Sequence, residues 1–213
     1  MSSPSVRSCP NDGKCDAAGR LWVGSKVLKQ QEPPAGRLFV VERSPKAGIV
    51  GMPSAARVVD EVGAVSVSNG IGFSPANDTM YYVDSPTRCI FAFAFDNSAG
   101  AISNKRVLAD VRAFAPPGAV PDGLAVDAMG AIWVALWDGG AIVQLSERGD
   151  LLRRVELPVS RPTCVAFGDN GTLYCTTCSY DVGDAAPLSE PLAGAVFALE
   201  VGVSGVGVCA CRL

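Results

Sequence analysis

The chain has 213 residues, 48% of them hydrophobic and 18% charged, with a formal net charge of −3. That is enough apolar residue for a core of its own, and the absence of a Lys/Arg block argues against a nucleic-acid partner. It contains no histidine, which excludes Ser-His-Asp and Cys-His hydrolases, His-ligated zinc sites and histidine general bases. The most apolar stretch, CIFAFAF at 89–95, is only strand-length, so no membrane span is expected. The N-terminal MSSPSVRSCPNDG has no apolar signal-peptide core, and a cytoplasmic location is expected.

Taken in chain order, the predicted elements are short strands. NDGKC opens a hairpin through the turn DAAG to RLWVG, followed by GRLFVVE and AARVVDEV. SNGIGF, the turn SPAND and MYYVD come next, then CIFAFAFD and SNKRVLADV. PDGLAV, DAMG and AIWVA are followed by GAIVQLS and LLRRVELPV. RPTCVAF, GDNG and TLYCT lead to GAVFALE, with GVGVCACRL at the end as a candidate last strand. Gly- and Asp-rich turns flanked by alternating apolar runs are hairpin signals.

The units keep one register. Asn11, Asp122 and Thr163 each lie five residues before a turn residue (Asp16, Asp127, Gly168) and eleven before an aromatic (Trp22, Trp133, Tyr174). Asn69 stands five before Ser74 and, with one residue more in the turn, twelve before Tyr81. Repeated four-stranded antiparallel units predict an all-β fold, a β-propeller with four blades in a single domain spanning 1–213. The first strand of each blade lines the central channel of such a fold. Asn11, Asn69, Asp122 and Thr163 should therefore converge at one mouth. Carboxylate and amide oxygens converging on an axis suit a hard divalent cation, with Ca²⁺ favoured and Mg²⁺, Mn²⁺ or Zn²⁺ as alternatives. The competing reading takes SNG, NDG and PDG as ordinary turn tripeptides.

The stretches PNDGKCDAAGRLWVG (10–24), VSNGIGFSPANDTMYYVDS (67–85), PDGLAVDAMGAIWVALWDGGAIVQL (121–145) and EPLAGAVFALEVGVSGVG (190–207) resemble the SMP-30/gluconolactonase/regucalcin-like family of six-bladed propellers. The resemblance implies metal-dependent hydrolysis of a sugar lactone or small ester. It implies Asn69 and Asp122 as metal ligands together with a first-blade Glu, Asp122 as catalytic base, and Asn11 as a substrate-binding residue. It also implies an Arg two residues before Asn11, where this chain has Cys9, and an acidic residue in the following loop, where Glu32 is the one carboxylate. At roughly 40–45 residues per blade, two N-terminal blades and the Glu they carry are expected to be missing. The open blade faces that this leaves are expected to favour self-association. A small-molecule lactone is the expected partner. The alternatives are a non-catalytic calcium-binding or interaction propeller, an inactive short form, or a propeller hydrolase with other ester chemistry.

The remaining signals have structural readings. Cys175 and Cys178 form a lone C-x-x-C, and Cys209 and Cys211 share a predicted strand face. All four are expected to be core thiols rather than redox or zinc sites. The sequons at Asn77 and Asn170 coincide with hairpin turns. Arg161, just before Pro162-Thr163, is near enough to the predicted mouth to meet an anionic substrate.

Overall fold

The computed structural model describes residues 8–27, 34–42, 55–180, 190–207 and 209–212. Glu32 lies outside these residues. The fold is an all-β propeller of four antiparallel sheets. Blade 1 comprises β1 (Ser8–Cys15), β2 (Leu21–Val27), β3 (Leu38–Glu42) and β4 (Ala55–Val58). Blade 2 comprises β5 (Ser68–Phe73), β6 (Thr79–Asp84), β7 (Cys89–Asp96) and β8 (Ala101–Asp110). Blade 3 comprises β9 (Val120–Val126), β10 (Ile132–Trp137), β11 (Ala141–Leu145) and β12 (Leu151–Glu156). Blade 4 has β13 (Pro162–Phe167), β14 (Thr172–Thr177) and β15 (Val196–Glu200). The inner strands pack side by side in the order β1, β5, β9, β13.

The sequence register has a physical basis in the hairpin between the first two strands. Asp127 is fully buried and accepts from the amides of Met129 and Ala131 and from Trp133 Nε1, at 2.9 to 3.0 Å. Asp16 does the same work in blade 1, accepting from Ala18 N, Arg20 N, Arg20 Nε and Trp22 Nε1. Each carboxylate clips its own turn to the indole one strand later, which fixes the Asp-to-Trp spacing. Blade 2 spends its extra turn residue on a different clip, in which Ser74 Oγ donates to Asp78 and accepts from the amides of Asp78 and Thr79.

Blades stack through apolar side chains. Trp22, Phe73 and Phe95 meet edge-on or tilted between blades 1 and 2, with centroids 4.7 to 5.9 Å apart. Val83, Leu124, Ile132 and Leu136 belong to the layer between blades 2 and 3. Trp133, Ala135, Val165 and Leu173 fill that between blades 3 and 4. The outward face of blade 4 is uncovered among the described residues: Tyr174 is 44% exposed and Val196 61%.

The C-terminal segment departs from expectation. It adds no fourth strand to blade 4 among the described residues. It runs instead across the inner strands at the end of the channel away from the register residues. Val206 N donates to Val126 O, Ala128 N to Ser204 O, and Arg212 N to Gly19 O. Cys211 is correspondingly not a core thiol. It is exposed and disulfide-bonded to Cys15 on β1, 196 residues away. Cys209 is half-buried, Cys175 is buried as expected, and Cys178 is only half-buried beyond the end of β14. The tail thus ties blade 4 back to blade 1 where no outer strand among the described residues does so. Six of the eight cysteines should react with a thiol reagent in denaturant without reductant. Cys211→Ser should lower unfolding free energy by about 2–4 kcal/mol, read by urea titration.

Candidate active site at one mouth of the channel

The four register residues do converge. Asn11, Asn69, Asp122 and Thr163 all line one open cavity of about 660 Å³, with Asp12, Lys26, Ser85, Trp137, Asp138 and Cys164 among its other walls. A smaller cavity of about 260 Å³ lies at the other end of the inner strands, against the C-terminal segment.

Local backbone geometry explains why these side chains reach the cavity. Each inner strand carries one extra residue at the site relative to its partner. The irregularity falls between Pro10 and Gly13 on β1, between Ser68 and Ile71 on β5, opposite Val134 and Leu136 on β9, and between Pro162 and Cys164 on β13. A β-bulge bends the strand and re-aims its side chains. NDG, SNG and PDG are therefore not turns: they are bulged segments inside strands. The glycines are required by crowding. A Cβ on Gly70 would lie 2.8 Å from Asp122 O and Leu124 N, and one on Gly123 would lie 2.7 Å from Cys164 Cα. Both clashes involve backbone that cannot yield, so the glycines let adjacent inner strands approach closely around the mouth.

Asn69 is oriented by a hydrogen-bonded chain. Its Nδ2 donates to Ser85 Oγ at 2.8 Å, and Ser85 Oγ donates to Pro121 O at 2.7 Å. This turns the Asn69 carbonyl oxygen the other way, where it accepts from Asn11 Nδ2 at 2.9 Å. Asn11 Nδ2 also donates to Ser68 O at 2.7 Å. Asn11 therefore braces Asn69 as well as lining the cavity. Thr163 Oγ1 is 2.7 Å from Thr176 Oγ1.

The electrostatics centre on Asp122. Burial pushes its carboxyl up to about 7, the nearby Asp12 charge pushes it the same way, and Lys26 partly opposes them. Burial raises Asp12 as well. Asp12 and Asp122 share a cavity in which Lys26 is the one cationic wall residue among the described residues. Burial drives the Cys164 thiol up to about 11, so it stays neutral and is no nucleophile near neutral pH.

The sequence reading missed Asp12, Ser85 and Lys26. Strict alternation puts residue 12 on the face opposite residue 11, and only the bulge brings both to the cavity. Ser85 follows β6 in a short 3₁₀ turn (Ser85–Thr87). Lys26 sits directly across from Cys9 in the β1–β2 ladder, so a cation stands one strand over from the position where an Arg was expected. Arg161 does not line the cavity. Its Nε donates to Asp138 Oδ1 at 2.7 Å, its Nη1 donates to Tyr180 O, and its guanidinium lies over Trp137, so it supports two wall residues from behind.

The residues that could hold a divalent cation here are Asp122, Asn69 and Asp12. The Asp122 carboxylate, the Asn69 carbonyl and the Asp12 carboxylate are all hard oxygen groups on residues that line the cavity. No group of three or more His, Cys, Asp or Glu residues able to hold a metal occurs among the described residues.

A sequence profile described as SMP-30/Gluconolactonase/LRE-like region matches residues 2–179. The chain is 36% identical over 199 residues to a 6-deoxy-6-sulfogluconolactonase of Pseudomonas putida, covering 92% of this chain and 62% of that protein. It is 35% identical over 201 residues to regucalcin of Gallus gallus, covering 92% of this chain and 64% of that one. The crystal structure of a calcium-binding protein, regucalcin, from Agrobacterium tumefaciens superposes with a TM-score of 0.84 at 28% identity, covering 97% of this chain and 65% of that one. The chain thus spans somewhat under two thirds of the length of these relatives. With matching motifs, fold and profile, the chain belongs to the SMP-30/gluconolactonase/LRE-like family.

Proposed function

We propose that the cavity hydrolyses a sugar lactone with the help of one divalent cation, and that Asp122 is the general base. The observation that carries this reading is the position of Asp122: a carboxylate raised to about 7 on a bulged inner strand, in the same cavity as Asn69. The lactonases among its relatives support the reaction class.

Asp122 and Asn69 would hold the cation, with Ca²⁺ favoured by the oxygen donor set. When bound there, such an ion supplies Lewis-acid polarisation of a carbonyl and acidifies water. Asp122 takes a proton from water as the water oxygen bonds to the lactone carbonyl carbon. The carbon–ring-oxygen bond then breaks, the ring oxygen takes that proton from Asp122, and a hydroxy acid leaves with Asp122 again ionised. The Asn11 amide and the hydroxyls of Ser85 and Thr163 offer hydrogen bonds to a polyhydroxylated ring, and Trp137 offers a flat apolar wall.

The test is proton release from gluconolactone followed in weakly buffered solution. The expected result is turnover that EDTA abolishes and excess Ca²⁺, Mg²⁺, Mn²⁺ or Zn²⁺ restores, and that falls at least about a hundredfold in Asn69→Ala. Cation binding without any turnover would replace this reading with the non-catalytic calcium-binding one.

A further inference from the structure

We propose that Lys26 forms an anion subsite in this cavity, and that the lactone it serves carries an acidic substituent away from the scissile carbonyl. The inference rests on the lactonase reading above and names its substrate class.

The charged walls of the cavity are Asp12, Lys26, Asp122 and Asp138. Asp138 is already matched, because Arg161 donates to it at 2.7 Å. Asp12 and Asp122 are the two carboxylates whose charge a divalent cation would offset. That leaves Lys26. Lys26 and Asp122 line the same cavity. Yet Lys26 makes no ion pair with Asp122 or any other carboxylate among the described residues. The ammonium is thus more than 4.0 Å from the Asp122 carboxylate while both residues line that open cavity.

Its placement is fixed by backbone rather than by a charged partner. Lys26 pairs with Cys9 across the β1–β2 ladder, and a bridge to Val67 ties it to the start of blade 2. The half-buried stem is held at the rim between two blades while three N–H donors remain for a ligand. A neutral sugar lactone would leave this cation unmatched in a partly desolvated cavity. A carboxylate, sulfonate or phosphate on the far carbon of the ring would match it through a charge-assisted hydrogen bond.

Lys26→Met and Lys26→Arg test this with two lactones, saccharolactone, which bears a free carboxylate, and gluconolactone, which bears none. The wild type is expected to prefer saccharolactone in kcat/KM. Lys26→Met should lower kcat/KM about tenfold more for saccharolactone than for gluconolactone, the excess falling mostly on KM, because any effect of the lost charge on Asp122 is common to both; Lys26→Arg should retain most of the preference. Equal losses on both lactones, or none on either, would overturn the subsite. If the wild type hydrolyses neither compound, the lactonase reading fails, and calorimetric binding of the same two compounds still decides the subsite. Tighter binding of saccharolactone that is lost in Lys26→Met upholds it, and indifferent binding overturns it.

Discussion

Asp122→Asn should abolish lactone hydrolysis and at the same time stabilise the metal-free protein. The loss is expected to be on the order of a thousandfold in kcat, because an amide cannot accept the proton that a positioned general base removes. The gain follows from the same burial. The Asp122 carboxyl stands near 7 in the folded protein against an ordinary value of 3.8. Between those two pH values the folded chain holds a proton that the unfolded chain has released. Stability therefore falls as pH rises through that window, and the ionised group is a net cost above it. The amide of the variant carries no such charge, so the fall should disappear. At neutral pH the variant should gain about 2–3 kcal/mol after discounting for solvent screening. Urea unfolding at pH 5 and pH 8, with EDTA present, checks both parts. The wild type should lose stability between the two, and the variant should not. A variant that keeps its turnover would remove Asp122 from catalysis.

Asp127→Ala should have the opposite outcome, although it changes an Asp only five residues further along the same motif. Asp127 is fully buried and accepts from Met129 N, Ala131 N, Trp133 Nε1 and, at 3.3 Å, Gln144 Nε2. Alanine leaves these donors without their acceptor, including a buried indole N–H in the layer between blades 3 and 4. Each stranded buried donor costs about 1–3 kcal/mol, and partial relaxation reduces the sum. A loss of about 4 kcal/mol is expected, seen as a lower urea midpoint and reduced soluble yield. Any protein that still folds should retain its kcat, since Asp127 does not line the cavity. Unaltered stability would show that the turn-to-indole clip is not what fixes the repeat register.

These two aspartates also show how much could be read from sequence. The spacing of five and eleven residues arises from one strand, one clipped turn and the indole that the clip holds. That is why it survives in blades 1 and 3, where Asp16 and Asp127 make the clip. Blade 2 replaces the clip with Ser74 and Asp78 and lengthens the spacing to twelve, whereas blade 4 keeps the spacing although Gly168 has no side chain to make a clip and Tyr174 is exposed. The convergence of Asn11, Asn69, Asp122 and Thr163 followed from that register.

What the pattern could not supply was local irregularity and non-local pairing. Alternation along a strand hides Asp12, because the bulge breaks the period of two at that point. Lys26 and Ser85 reach the cavity through strand pairing and a 3₁₀ turn, which no short motif encodes. The tail read as a final strand because GVGVCACRL alternates, but it is held by scattered backbone bonds and by Cys15–Cys211 instead. Disulfide connectivity is not deducible from cysteine positions alone.

The central claim is that strands from separate blades assemble one cation site from Asn69 and Asp122. Calorimetric titration of the metal-free protein with Ca²⁺ addresses it most directly, with Asn69→Ala and Asp122→Asn titrated alongside. The account predicts one site per chain in the wild type, and affinity reduced at least about a hundredfold in each variant, although the two residues lie on different blades. Absence of binding in the wild type, or binding untouched by either substitution, would contradict it.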